Sequence, residues 1–269
     1  MTRTTRVLAR HSIRRLQAIV IGVGLVLAGF QFLLTQVATY LQRSQAFGML
    51  TTLLPEFMRQ LAGPSMLLSF TGVVSLGYFH PIVLTTFVGL AVAIATEPAS
   101  EIELRFVDLT LARPARRTDL VTRTVLVLLV AGSFVLAMMA VGTWSGLTCC
   151  TPADAPRPAA SSIAALALNL GVVAWCWGGI ALAAATLAKR RATAAAVAGI
   201  AALATYLLDY LGRVWEPARG LSRVSPFHYF EPMPLIAGGD LNVANVAMLV
   251  AIGVVGIVAS YWTLSHRDL

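Results

Sequence analysis

Long apolar runs separated by short polar stretches dominate the 269-residue chain. Six of them approach or exceed the roughly 20 residues that a bilayer-crossing helix needs. They are residues 17–39, 80–96, 120–143, 161–187, 193–211 and 243–264, read as spans 1 to 6. Periodicity adds two amphipathic pieces. Arg3, Arg6, Arg10 and Arg14 recur at three and four residues, one face of a helix over 2–16. This is an interfacial helix on an anionic inner leaflet or a basic tail that only sets orientation. Phe47, Leu50, Leu54, Phe57 and Leu61 then repeat at helical spacing until Gly63-Pro64, predicting a helix along the outer surface. Residues 65–79 are apolar but short, either a surface segment or the outer half of a long span 2 kinked near Pro81.

Residues 97–123 interrupt the apolar pattern with charge of both signs. Glu97, Glu101, Glu103, Asp108 and Asp119 stand against Arg105, Arg113, Arg116, Arg117 and Arg123. Each such charge costs roughly 2.5 to 3.5 kcal/mol at mid-bilayer, so the stretch lies outside the hydrocarbon. Glu101, Arg105 and Asp108 form a polar stripe beside an apolar face of Ile102, Phe106 and Leu109, and Pro114 stops or bends the helix. A second polar triplet, Lys189-Arg190-Arg191, separates spans 4 and 5.

Composition sharpens the class. With 58% hydrophobic residues, 12% charged residues and a mean hydropathy of +0.78, the chain falls far from a soluble globule, in which about a quarter of residues are charged. The fold class is all-α polytopic membrane protein, one domain over 1–269, with the first span retained rather than cleaved as a signal peptide. The net charge of +8 sits at the ends of apolar runs rather than on one aromatic-interleaved face, which argues against nucleic acid. With the amino terminus inside, positions 3, 6, 10, 14, 15, 105, 113, 116, 117, 123, 189, 190, 191 and 267 place 14 of 20 basic residues in the cytoplasm. The positive-inside rule therefore puts both termini there. Cys149 and Cys150 fall in a loop after span 3 and Cys176 within span 4, with no metal-ligand spacing. No metal site is expected.

The spans hold little chemistry. Asp209, near the outer end of span 5, is the one acidic residue inside a predicted span; it contacts substrate or snorkels toward the outer headgroups. His80 beside Pro81 suits a helix start. The sole lysine, Lys189, is followed by arginine, so a Gly-Lys-Ser/Thr phosphate loop is absent and no catalytic set is assigned. Gly171, Gly178, Gly179, Ala195, Gly199 and Ala202 permit close helix approach, at a subunit interface or within the chain. Residues 212–242, with Pro226, Phe227, His228, Tyr229, Phe230, Pro232 and Pro234, form an aromatic, proline-broken outer loop, either a gate or an interface belt.

The order of a span, ELRFVDLTLARPARRTDLVTR and another span, then SPFHYFEPMPLIAGG before the last span and a terminal HRDL, resembles the type-2 permeases of ATP-binding cassette (ABC) exporters. Leu111, Ala112, Arg113, Pro114, Arg117 and Thr118 match a pattern of that family, Glu101 falls at its usual acidic position, and Arg105 replaces its usual glycine. The resemblance implies a six-span half-transporter in the bacterial plasma membrane, with an amino-terminal elbow helix. Between spans 2 and 3 it implies a coupling helix, region 97–118, in which Glu101, Glu103, Arg105, Asp108, Arg113, Pro114 and Arg117 engage a cytoplasmic ATPase. Two such ATPase subunits would bind ATP and Mg, leaving this chain without a cofactor of its own, and a second permease half, identical or homologous, would complete the path within membrane lipid. Region 212–242 would be an outer loop or a re-entrant segment with an outer gate at Pro226, Phe227, His228 and Tyr229. Thr85, Thr86, Phe87, Thr205, Tyr206 and Asp209 would line the path of an apolar or amphipathic substrate. Service in envelope biogenesis or metalloenzyme maturation is a second role open to such a permease, and a structural or sensory subunit a third.

Overall fold

The computed structural model describes residues 3–53, 66–103, 117–152 and 155–266. These residues are helical, without a strand among them, and carry six helices long and apolar enough to cross a membrane. In chain order the helices are α1 (Arg3–Arg43), α2 (Ala46–Leu53), α3 (Phe70–Ser75), α4 (Pro81–Ala95), α5 (Glu97–Glu103), α6 (Arg117–Cys149), α7 (Ala160–Leu187), α8 (Arg191–Val214), α9 (Arg219–Ser222), α10 (Met233–Ile236) and α11 (Val243–His266). The spans are α1, the α3–α4 pair, α6, α7, α8 and α11. One end of the bundle carries the start of α1 with α5; we call it the charged end, and the opposite one the loop end.

Several boundaries differ from the sequence expectation. No break separates the basic segment from span 1: α1 runs for 41 residues, because neither glycine nor proline interrupts residues 10–20. It stops where Gln45 adopts a left-handed φ of 54°. Span 2 takes the kinked form. Ser69 caps α3 through Gly72 N, a 3-10 turn over Leu76–Tyr78 follows, and His80 Nδ1 accepts from Ile82 N to start α4, with Pro81 in its first turn. His80 thus has the helix-starting role its sequence position indicated. Span 3 continues past Thr143 to Cys149, so Trp144 and Cys149 are helical rather than in a loop. The extra turns are held against α1, where Arg43 Nη2 donates to Cys150 O at 2.9 Å.

Glycine determines the two closest helix pairings. A Cβ at Gly142 would collide with the Ala28 backbone, and one at Gly146 with Thr35, so α6 and α1 approach tightly toward the loop end. Between α7 and α11, a Cβ on Gly179 would meet the Gly253 carbonyl oxygen, and one on Gly256 the Gly179 carbonyl oxygen. Helix α7 is the centre of the bundle, with Leu166, Leu170, Trp177 and Leu182 fully buried. The small residues of span 4 are therefore used within the chain. Gly199 on α8 is different, exposed with nothing near it.

Candidate functional site

Helices α4 and α8 leave a cleft between them. Its middle, about 190 Å³, is lined by Leu84, Thr85, Val88, Gly89 and Val92 from α4 and by Gly199, Ala202, Leu203 and Tyr206 from α8, with Phe227 above. Leu84, Tyr206 and Phe227 also line a second cavity of about 170 Å³ toward the loop end, which takes in Asp209, Tyr210, Arg213 and Phe230. The two cavities thus share walls along one groove. The Thr85 hydroxyl adds little polarity to it, since Oγ1 donates to Pro81 O at 2.7 Å within its own helix.

The segment over residues 212–242 closes the loop end of this groove. Short turns over Glu216–Ala218, Arg219–Ser222, Pro226–Tyr229 and Met233–Ile236 replace an open loop, because the four prolines Pro217, Pro226, Pro232 and Pro234 allow no long helix. Ser225 Oγ donates to Thr205 O at 2.8 Å, pinning the segment to α8. Phe227 stacks on Trp177 with centroids 5.6 Å apart and meets Tyr206 edge-on at 5.4 Å. An aromatic plug therefore sits between α7 and α8. Pro226 is buried with it, while Tyr229 turns outward and donates its hydroxyl to Arg223 O.

Asp209 does not snorkel. It is only 6% exposed, with Oδ2 on Arg213 Nε at 2.9 Å and Oδ1 3.6 Å from His228 Nδ1. The carboxylate faces the segment over residues 212–242, where Arg213, one turn on, supplies a counter-charge and His228 approaches from the plug. Thr85, Tyr206 and Asp209 thus line the groove, and Thr205 holds the plug through its backbone. Phe87 is turned away, into an apolar cavity of about 230 Å³ among α4, α6 and α7. Thr86 lines neither cavity of the groove.

At the charged end, α5 begins after Thr96 breaks the line of α4, with Pro98 accommodated in its first turn. Its three glutamates reach three different helices. Glu97, 4% exposed, pairs with Arg15 of α1 at 3.6 Å. Glu101 takes a 2.6 Å bond from Arg123 of α6, whose side chain is 4% exposed. Glu103 accepts from the backbone N–H of Arg191 at 3.0 Å, placing a carboxylate on the amino terminus of α8. Arg191 in turn donates to Ala93 O at 3.0 Å, so α8 is tied to α4 at the foot of the cleft. Arg105, Asp108, Arg113 and Pro114 lie outside the described residues, as does the Arg117 side chain; its backbone starts α6.

Sequence reasoning did not single out Arg15, Arg191 or Trp177 as partners in these contacts, since each partnership joins distant positions. Arg123 carried a signal: an arginine inside the apolar run LVTRTVLV must bury a charge and find an acid. Among the described residues no three His, Cys, Asp or Glu side chains group as a metal site.

The groove thus has polar ties at both ends, and sequence comparison supplies the family. Residues 8–264 match the model of the family described as multidrug efflux system permease Rv1217c, C-terminal domain. The chain belongs to this family. The match runs through all six spans, the plug and the charged stretch, and makes the chain a multi-pass transport permease domain. No curated protein and no solved structure gives a match.

Proposed function

We propose that the chain is the permease subunit of an ATP-binding cassette exporter of the type-2 kind, moving apolar or amphipathic drugs out of the cytoplasm. The observation that carries this reading is the α4–α8 groove, an apolar channel plugged by Phe227 at the loop end and tied by Arg191 at the charged end. The family's printed name, a multidrug efflux permease, supports it. So does the charge distribution, which agrees with a charged end and both termini in the cytoplasm of a bacterial cell.

ATP and Mg would be bound by two cytoplasmic ATPase subunits pressing on the segment that includes α5 and residues 104–116. A second permease half, identical or homologous, would complete the path. Helix α5 then acts as a distributor. Its movement pulls α1 through Glu97, α6 through Glu101 and α8 through Glu103, so one push at the surface reaches three spans. Glu101 and Glu103 work as levers inside the chain, and direct ATPase contact falls to residues such as Arg105, Asp108 and Arg113. Thr85, Tyr206 and Asp209 line the substrate route.

The test is purification from native membranes in mild detergent followed by reconstitution. An ATPase that co-purifies and drives drug movement supports the proposal. A stable complex lacking any ATPase contradicts it.

A further inference from the structure

A second groove, outside the transport cleft, lies between α1 and α6 at the charged end. Its volume is about 220 Å³, with walls that include Ile13, Gln17 and Ile21 from α1 and Val127, Val130 and Phe134 from α6. It exists because the two helices are wedge-shaped as a pair. Gly142 and Gly146 draw α6 onto Ala28 and Thr35 toward the loop end, whereas branched and aromatic side chains hold the helices apart toward the charged end. The wedge opens into the leaflet at that end.

Charge marks what the wedge takes. At 100° per residue, Arg10 and Arg14 fall within about 60° of Gln17 and Ile21 on α1, while Leu16 and Val20 line the groove on the side away from them, so the two arginines stand at its outer rim. Both are exposed and, among the described residues, without an ion-pair partner. Arg15 faces the other way, onto Glu97. That pair places residues 10–15 level with the end of α4, where the hydrocarbon gives way to headgroups. From Ile13 to Ile21 the helix rises about 12 Å, most of the roughly 15 Å of one leaflet's hydrocarbon. No acidic side chain lines the groove.

We propose that this wedge binds one anionic phospholipid, its phosphate between Arg10 and Arg14 and one acyl chain along Gln17 and Ile21 against Val130 and Phe134.

Native mass spectrometry of the intact chain, exchanged against equal amounts of phosphatidylglycerol and phosphatidylcholine with the same acyl chains, tests it. At about fivefold per arginine near a charged surface, the two arginines together give an expected preference for phosphatidylglycerol on the order of thirtyfold. The Arg10→Gln/Arg14→Gln variant erases the preference, either single variant lowers it about fivefold, and Arg15→Gln, a single charge removed from the opposite face, keeps it. Val130→Trp fills the wedge from a half-exposed position without touching the core, and removes the retained lipid while the protein stays monodisperse. Equal loss of preference in Arg15→Gln and in the double variant overturns the site in favour of bulk charge. Retained lipid in Val130→Trp overturns it in favour of ordinary surface lipid. An oligomer that dissociates in Val130→Trp, with lipid unchanged, gives the groove to a second copy instead.

Discussion

Helices α7 and α8 have nearly the same vocabulary, alanine and glycine interleaved with aliphatics, yet opposite surroundings. Two thirds of the apolar window of α7 is buried (67%), against 22% for α8. The difference lies in where the small residues fall. On α7, Gly178 and Gly179 meet Leu128 and the Gly253 backbone, so smallness is spent on packing. On α8, Gly199 meets nothing and Ala196, Val197, Ile200 and Leu203 remain exposed. Small-residue spacing alone therefore does not say whether a span is packed or open. The ends of α8 are polar: Glu103 accepts from the Arg191 N–H at one, and near the other Asp209 meets Arg213 and His228 while Ser225 donates to Thr205 O.

The comparison breaks first at glycine. Gly179→Leu forces a side chain into the α11 backbone and should cost about 3 kcal/mol or more, because the atom it meets is main chain rather than a flexible side chain. Loss of the monodisperse peak in size-exclusion chromatography is the expected result. Glu101→Gln comes next. It leaves Arg123 buried without a counter-charge, at a cost of about 3 kcal/mol, read as a lowered melting temperature; Arg123→Met in the same chain should restore part of it.

Phe227→Ala removes the ring between Trp177 and Tyr206 and should destabilise by about 2 to 3 kcal/mol. Its diagnostic effect is on the cleft, where a thiol-reactive probe added from the loop end should label Thr85→Cys faster than in the parent. Gly199→Leu should change stability by less than about 0.5 kcal/mol, as expected at an open surface. It should nevertheless impair drug movement in the reconstituted complex. Equal destabilisation by Gly199→Leu and Gly179→Leu would erase the contrast between the two helices.

Much of the architecture was legible from hydrophobic periodicity, because a span must satisfy its backbone internally over a fixed thickness. Boundaries were less so. Helices α1 and α6 extend beyond the hydrocarbon to Arg43 and Cys149, where packing between them, rather than lipid, selects the structure. The kink before Pro81 and the proline-broken plug followed from local chemistry. Asp209 was placed correctly along the chain but not in environment, since nothing local says that His228, 19 residues on, returns to meet it. The charged stretch shows the same limit more sharply. Glu101 and Glu103 were read as residues that engage an ATPase; within the chain Glu101 meets Arg123 and Glu103 the backbone N–H of Arg191, and Glu97 pairs with Arg15. Each pairing joins separate spans, which no periodicity encodes.

On the proposed function, α4 and α8 border a path that opens and closes under ATP. Spin labels at Gly89→Cys and Gly199→Cys, with Cys149, Cys150 and Cys176 replaced by serine, report the width of the cleft by electron–electron double resonance. In the complex with its ATPase, the distance distribution should shift by several ångströms between the nucleotide-free and ATP-trapped states, on the scale of helix rearrangements in such switches. One unchanged distribution in both states, in a complex that hydrolyses ATP, would contradict the claim.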